Sequence, residues 1–263
     1  MQQTPFFITT HKPIPWNLPF RHRVIGVEGY IPDPEVGISA ANVISRSLDS
    51  ETAFGALRCL MAVNQDLANY DDVTSVFMGN YRLFLGNEFN EDWLDTGMTN
   101  NLIISPEGLN ENWQSIVVTE IPAGVDILIP APKIMPHSVM GQYMGNHHLD
   151  DLLFGVGCAI RSGLLDPLTI PQMLLSTTLI PYGNFAAKKS IRFEFNQKIW
   201  ACALDFYKNY YIPRSAYQRR VIDFVFERII SMAIVQMVTK FKLKCVSCRN
   251  ILVSADGKYS ISQ

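Results

Sequence analysis

The chain has no excess of basic charge, few cysteines and no long uncharged apolar run. Its 263 residues carry a formal net charge of −2, which argues against nucleic-acid binding, since that function usually needs a basic surface. The five cysteines are odd in number and scattered, which argues against a disulfide framework and favours a reducing compartment. The longest apolar stretch, Val221 to Val238, contains Asp223, Glu227 and Arg228, so it predicts a core helix and not a membrane span.

Two further signals are missing. The first residues, Met-Gln-Gln-Thr-Pro-Phe-Phe-Ile, have no basic region and no long apolar region, so no signal peptide is expected. Cys245-x-x-Cys248 has no second cysteine pair to complete a zinc site, which predicts a structural role for both thiols.

The most informative segment runs from Val73 to Phe84. Its apolar, β-branched part stops at Gly79-Asn80-Tyr81-Arg82, which predicts a buried strand with polar groups at its carboxyl end. Ligands bind at that edge in open α/β sheets, and an arginine fork suits an anionic ligand such as a phosphate. His11 and Lys12 follow the first predicted strand and lie at the same edge, where the alternative is a solvated loop pair.

The order of predicted elements indicates an α/β fold. Residues 1–85 follow a β-β-α-β pattern, and residues 86–124 are polar and poorly periodic, which predicts a surface excursion at 87–108. Beyond it the patterns predict a strand at 125–130, helices at 138–160, 165–178 and 217–238, a strand–turn–strand element at 178–188 followed by a helix of about twenty residues, and a closing strand at 241–247.

Two clusters of polar residues fall on predicted helices. Arg220, Asp223, Glu227 and Ser231 share one helix face, where Glu227 could act as a general base; the alternative is a solvated stripe with internal ion pairs. The second cluster, His147, His148, Asp150 and Asp151, invites a metal site, because His147 and Asp151 are four residues apart. No further ligands with clear spacing accompany it, which weighs against a metal.

Several segments resemble, in the same order, the bacterial DUF4422 family of glycosyltransferase-like proteins, which is found with capsule and O-antigen biosynthesis. The matching segments are Thr10-His11-Lys12, Val24-Ile25-Gly26-Val27, Gly37-Ile38-Ser39 before Glu51, Asn80-Tyr81-Arg82-Leu83-Phe84, Gln142-Tyr143 with His147 or His148 and Asp151-Leu152, Gly183-Asn184-Phe185, and Arg220-Val221 with Glu227-Arg228. The chain departs from the family where Asn80 replaces a histidine, Leu83 replaces a second arginine and Asp223 replaces an expected glycine.

The resemblance implies a single GT-A-like nucleotide-binding domain over residues 1–263, with a mixed central sheet flanked by helices. Residues 1–85 would form the nucleotide-binding half, 86–124 the surface excursion, and 125–263 the acceptor and sugar half. It also implies transfer of a hexose from a nucleotide-diphosphate sugar, UDP-linked, to a bacterial surface polysaccharide. The alternatives are a metal-dependent hydrolase built on the His147 cluster and a non-catalytic member that binds glycan or a partner enzyme.

The resemblance also implies roles for particular residues. The catalytic group would be Glu227, Asp223 and Arg82. The nucleotide and diphosphate group would be Thr10, His11, Lys12, Asn80, Tyr81 and Arg82. The sugar and acceptor group would be Gln142, Tyr143, His147, His148, Asp151, Asn184 and Arg220, although Asn184 is equally expected as a turn-former.

The chain contains no Asp-x-Asp, the motif with which many such enzymes hold a divalent metal. Arg82 and Lys12 are therefore expected to supply fixed positive charge near the leaving phosphate, with Mn²⁺ or Mg²⁺ as the alternative. The implied partners are a nucleotide-sugar donor and a glycan or lipid-linked glycan acceptor, with no nucleic acid. A cytoplasmic location with peripheral association at the inner face of the inner membrane is expected.

Overall fold

A computed structural model of the protein describes residues 6–26, 31–33, 35, 37–39, 63–68, 70, 75–98, 100–181, 183–210 and 221–254. The strands are β1 Phe6–Thr10, β2 Arg23–Gly26, β3 Gly37–Ser39, β4 Ser75–Asn80, β5 Leu83–Asn90, β6 Leu102–Ile104, β7 Ile127–Pro130, β8 Lys133–Ile134, β9 Thr178–Leu179, β10 Phe185–Lys188 and β11 Cys245–Val253. The helices are α1 Pro106–Ile116, α2 Val139–Met144, α3 Leu149–Arg161, α4 Ile170–Leu175, α5 Lys189–Tyr210 and α6 Val221–Phe241, with a 3-10 turn at Pro167–Thr169. Residues 63–67 are also helical.

In the described part of the chain, a mixed nine-stranded sheet forms the centre of the fold. Its first half is parallel, in the order β3-β2-β1-β4. The antiparallel strand β10 lies between β4 and β7, so β7 runs in the same direction as β4. Strand β11 pairs with β7, β6 and β5, and β5 returns to β4 through the single pair Asn80↔Leu83.

The two faces of the sheet belong to different cores because side chains alternate along each strand. On β7, Ile127 and Ile129 pack into the larger core with residues of α3, α5 and α6, whereas Leu128 packs on the other face with Leu109 of α1. Helices therefore cover both faces of the sheet. This confirms the predicted α/β class with a mixed central sheet and flanking helices.

Most predicted strands and helices are present, and the clearest difference lies in residues 86–124. This region contains the end of β5, strand β6 and helix α1, which the expected surface excursion did not include. Helix α1 is capped by Ser105, whose Oγ accepts a hydrogen bond from the Gly108 amide at 3.1 Å. The second half of β5 is largely exposed, so its polar residues conceal the strand pattern.

The segment 178–188 forms the predicted strand–turn–strand element. Its two strands do not pair with each other: β9 pairs with β8, and β10 pairs with β4 and β7. The predicted helix that precedes the Val73 strand is described only at 63–68, and Glu51 and Arg220 lie outside the described residues. Among the helices in the described part of the chain, none is long and apolar enough to cross a membrane.

Candidate functional site

The structure brings the ends of β1 and β4 together at one edge of the sheet. The two strands are parallel and in register, with Thr9 opposite Asn80, and the Thr9 hydroxyl donates to the Gly79 carbonyl at 3.1 Å. Thr10 and Tyr81 therefore follow at neighbouring positions, and the predicted diphosphate residues share the carboxyl edge. This is the edge where α/β sheets bind ligands.

Two of these residues use their side chains to shape the turns. Thr10 is buried; its Oγ1 donates to the Lys12 carbonyl at 2.6 Å and accepts from the Lys12 amide at 3.2 Å. Asn80 Oδ1 accepts a hydrogen bond from the Arg82 amide at 2.8 Å. Both contacts are short-range turns that side chains of this type favour. His11 and Lys12 are exposed beside them.

Arg82 lies at the tip of the β4–β5 turn, exposed to solvent above a buried tyrosine. The Tyr81 ring packs edge-on against Trp16, with centroids 5.2 Å apart, and Cζ of Arg82 lies 5.3 Å from the Tyr81 centroid. The guanidinium is close enough for a cation–π contact with the ring, and because Arg82 is exposed it can still donate hydrogen bonds to an anion. Packing of Arg82 on Tyr81 and an anion-binding role are thus compatible.

Asn184 supports this turn from below. It is buried, and its Nδ2 donates to the Leu83 carbonyl at 3.3 Å. A Cβ atom added to Gly79 would lie 2.7 Å from Asn184 Oδ1, so the glycine leaves the room that the amide occupies. These contacts favour a structural role for Asn184 over the predicted contact with a sugar.

A second group of predicted residues converges around Arg228. The side chain of Arg228 is only 7% exposed and donates to three oxygens. From Nη1 it reaches Glu227 Oε2 at 2.7 Å and the Phe224 carbonyl at 3.0 Å, and from Nη2 it reaches Gln142 Oε1 at 2.7 Å. Its Cζ lies 5.7 Å from the centroid of Tyr143, which is fully buried.

Arg228 thus joins Gln142 of α2, a predicted sugar and acceptor residue, to Glu227 of α6, the predicted acid. Gln142 and Arg228 are 86 positions apart in the sequence. Arg228 had no assigned role in the sequence prediction, although it is part of the matching pair Glu227-Arg228. The sequence did contain a signal for Arg228, because this arginine lies in a largely apolar helix. A charged side chain that such a helix buries almost always has a partner.

The predicted polar stripe of α6 is only partly a surface feature. Ser231 is buried and its Oγ accepts a hydrogen bond from the Ile180 amide at 2.9 Å, so it faces the interior and not solvent. Asp223 is half-buried in the first turn of α6, and Glu227 is half-buried beside Arg228. Along α6, the residues of the stripe therefore become more buried, from the half-buried Asp223 and Glu227 to the buried Ser231.

The side chains of the histidine and aspartate cluster lie in different surroundings. His147 stacks on Phe224 with centroids 4.3 Å apart and lies 4.8 Å from the Tyr143 centroid. His148 is exposed at the start of α3, whereas Asp151 is buried in its first turn. Within the described ranges, no group of three or more histidine, cysteine, aspartate or glutamate residues could hold a metal ion.

The loop before β10 connects the two groups. Gly183 has a positive φ of 59°, and a Cβ atom there would lie 3.6 Å from Cδ1 of Ile230, one helical turn beyond Glu227. The next residue, Asn184, contacts the β4–β5 turn. The loop before β10 therefore lies between Ile230 of α6 and the β4–β5 turn.

The described cysteines are not suited to nucleophilic chemistry. Burial raises the pKa of Cys158 and of Cys245 to about 12, so both thiols are protonated at neutral pH. Cys245 and Cys248 are buried in β11, where the three-residue separation points them to opposite faces of the strand. Their position agrees with the predicted structural role.

Two grooves lie against the second half of α6, away from the predicted site residues. One of about 590 Å³ runs between residues 163–167 and 240–243, and the other of about 560 Å³ lies between α4 and α6. They share Asp166, Gln236 and Lys240 in their walls. None of the residues predicted to bind nucleotide, sugar or acceptor lines either groove.

No protein-family model matches the sequence, and no curated protein matches it. A solved apo structure of the bifunctional glycosyltransferase WbbM is similar to this chain, with a TM-score of 0.70 and 14% sequence identity. The similarity covers 96% of this chain and 46% of that one, so this chain spans less than half the length of WbbM. At this identity the likeness shows a shared fold and no more.

Proposed function

We propose that the protein is a glycosyltransferase of the GT-A type that moves a hexose from a UDP-linked sugar to a bacterial surface polysaccharide. The observation that carries the proposal is the exposed guanidinium of Arg82 at the carboxyl edge of the sheet, next to the end of β1. The likeness to WbbM supports it at the level of the fold. Membership of the DUF4422 family, which the motifs suggest, is part of the same proposal.

The proposed reaction transfers the sugar between two oxygen atoms. The acceptor hydroxyl attacks the anomeric carbon, the bond from that carbon to the phosphate oxygen breaks, and the nucleotide diphosphate leaves with the electron pair. Arg82, with Lys12, stabilises the charge that develops on the leaving phosphate. Glu227 or Asp223 receives the acceptor proton or orients the sugar. Mn²⁺ or Mg²⁺ bound by the donor stays the alternative source of positive charge.

The polar group around Arg228 would form the acceptor side of this site. Gln142 and Glu227 are both held by one buried guanidinium, so their positions are fixed before a ligand binds. The donor would be a nucleotide sugar and the acceptor a glycan or a lipid-linked glycan. We include peripheral association with the inner face of a bacterial inner membrane in the proposal.

Ligand-dependent melting tests the nucleotide site. A ligand at one hundred times its dissociation constant stabilises a folded protein by about 2.7 kcal/mol. We therefore expect UDP to raise the melting temperature of the protein by several degrees, and Arg82→Ala to weaken UDP binding roughly 10- to 150-fold, the loss of a charge-assisted hydrogen bond.

The matched control is Arg161→Ala. Arg161 is an exposed arginine at the end of α3, and it pairs with Asp205 of α5. It should leave UDP binding unchanged. Equal UDP affinity in the Arg82→Ala and parent proteins would remove the role assigned to Arg82. Stabilisation by Mn²⁺ or Zn²⁺ alone, without UDP, would favour the hydrolase hypothesis instead.

A non-catalytic binding role is the second candidate, and Asn80 favours it. This residue stands where the family has a histidine, and its Oδ1 is engaged by the Arg82 amide. Turnover of UDP-sugars by the parent and by Asn80→His separates the two candidates. Turnover by the parent supports an enzyme. Intact UDP binding without turnover in the parent supports the binding role, whether or not Asn80→His is active.

A further inference from the structure

Exposed apolar side chains gather around the two grooves beside α6. Leu168 is 89% exposed, Leu175 is 64% exposed and Phe241 is 60% exposed. Leu168 follows Pro167 in the wall of the first groove, Phe241 lines the opposite wall, and Leu175 ends α4 beside the second groove. Scattered single apolar residues are ordinary on protein surfaces, but a cluster of large ones marks an interaction site.

Three lysines border this cluster. Lys240, Lys242 and Lys244 are exposed and alternate with Phe241 and Leu243, and the segment contains no acid. The ammonium group of Lys240 is also close to the ring, since its Nζ lies 5.8 Å from the Phe241 centroid. The chain as a whole has a net charge of −2, so this concentration of positive charge is local.

The acidic residues nearby are already engaged. Glu194 pairs with Lys198 at 2.6 Å in the first groove. Asp166 Oδ1 accepts a hydrogen bond from the Leu168 amide at 3.1 Å. Asp126, which accepts a hydrogen bond from the Lys244 amide, pairs with Lys188. The three lysines of the cluster therefore outweigh the Asp166 carboxylate, and the surface carries a net positive charge.

The surface is also held in place. Gln236 of α6 accepts a hydrogen bond from the Asp166 amide at 3.0 Å and donates to the Thr169 hydroxyl at 3.0 Å. These two contacts fasten the turn that carries Leu168 to the helix that carries Phe241. We call the exposed apolar residues and lysines in and beside the two grooves the docking face (Leu168, Leu175, Lys240, Phe241, Lys242 and Lys244).

We infer that the docking face binds the surface of an anionic lipid bilayer. Large apolar side chains that enter the acyl boundary, flanked by lysines that meet anionic headgroups, are the chemistry of peripheral membrane attachment. A second copy of the chain is a poorer match, because a two-fold contact through this face would bring two lysine clusters together.

This geometry relates the face to the proposed site. Arg228 and Phe241 lie on the same helix, about 20 Å apart at a rise of roughly 1.5 Å per residue. A bilayer on the docking face would lie about that far from the acceptor side of the site along the helix axis. The inference extends the proposed membrane association, and its test measures binding without using enzyme activity.

The experiment is sedimentation of the full chain with sucrose-loaded vesicles of phosphatidylcholine alone or mixed with phosphatidylglycerol. We expect binding to the anionic vesicles, weaker binding to the neutral ones, and loss of binding as salt is raised. Leu168→Ser with Phe241→Ser should weaken the anionic-vesicle affinity at least roughly tenfold. Lys240→Gln with Lys242→Gln and Lys244→Gln should weaken it by on the order of 100-fold.

Matched controls are Leu153→Ser, an exposed leucine of α3 outside both grooves, and Lys208→Gln near the end of α5. Both should bind vesicles like the parent, and all variants should melt within a few degrees of it. No sedimentation of the parent with anionic vesicles, or equal loss in the controls, would overturn the inference. Dimerisation in sedimentation velocity that the docking-face substitutions abolish, without vesicle binding, would assign the face to a second copy. Retained UDP binding in the docking-face variants would show that the nucleotide site is independent of the docking face, so the two proposals can be judged separately.

Discussion

A single buried guanidinium organises one side of the proposed site. Arg228 donates to Gln142 on α2 and to Glu227 on its own helix, and it lies against the ring of Tyr143. Burying a charge costs stability unless its hydrogen bonds are made. Removing one partner of a buried charged pair therefore destabilises the protein by more than the intact pair stabilises it. The polar contacts of this arginine therefore matter for stability as well as for function.

Arg228→Met should lower the free energy of unfolding by about 1–3 kcal/mol, because oxygens of Gln142 and Glu227 lose a charged donor. Urea denaturation measures the change. Arg161→Met is the control, since Arg161 is 55% exposed and its loss should change stability by less than about 0.5 kcal/mol. Equal unfolding midpoints for Arg228→Met and the parent would contradict the assignment.

Asp126 gives a prediction that depends on pH. The hydrogen bond from Lys188 lowers the pKa of Asp126, and the Lys244 amide adds to the effect through its 2.8 Å bond to Oδ2. A carboxyl whose pKa is lower in the folded state stabilises the protein above its ordinary pKa, and this stabilisation is lost as the pH falls through the folded value.

Asp126→Asn should therefore be less stable than the parent at pH 7, by about 1 kcal/mol, and the difference should shrink below about pH 4. Unfolding free energies measured from pH 7 to pH 3 test this. The control is Asp92→Asn, an exposed aspartate that should change stability little at any pH in this range. A difference that stays constant across the range would show that the effect is not ionic.

At the scale of elements, helix α3 depends on a close approach to α6. A Cβ atom at Gly155 would lie 2.4 Å from Cγ1 of Val225 and 3.1 Å from Cδ1 of Ile229. Both are buried core atoms with little room to move. The glycine therefore sets the distance between the two helices, one of which carries Arg228.

Gly155→Ala should lower stability by about 1–3 kcal/mol, because α3 must shift away from α6. Gly157→Ala is the matched control in the same helix, since its added Cβ would meet only the end of the Arg161 side chain, at 3.4 Å. That substitution should be neutral or raise stability by up to about 1 kcal/mol, as alanine favours helix. Thermal unfolding compares the two, and a more stable Gly155→Ala would contradict the packing account.

The elements also show what local patterns can predict. Strands β1, β2, β4 and β7 follow apolar runs and were all expected, because burial on both faces produces such runs. Helix α1 was missed although Ser105, Pro106 and Glu107 form a helix start, because the region around it is polar. The choice of β8 as the partner of β9 depends on distant residues, so no local pattern contains it.

At the scale of the whole molecule, the sequence was sufficient for the fold class but not for the arrangement of the site. The residues at the ends of β1 and β4 were placed at one edge correctly, since parallel strands bring their carboxyl ends together. The contact of Arg228 with Gln142 was not predictable, because it depends on how α2 packs beside α6. The engagement of Asn80 and Thr10 in turns likewise became visible only with the backbone in place.

A crystal structure of the protein soaked with UDP-sugars tests the central claim most directly. The account predicts the diphosphate at the carboxyl edge of the sheet, with a nitrogen of Arg82 about 3 Å from a phosphate oxygen. A diphosphate bound more than about 10 Å from Arg82, too far for any direct charge-assisted hydrogen bond, would contradict it.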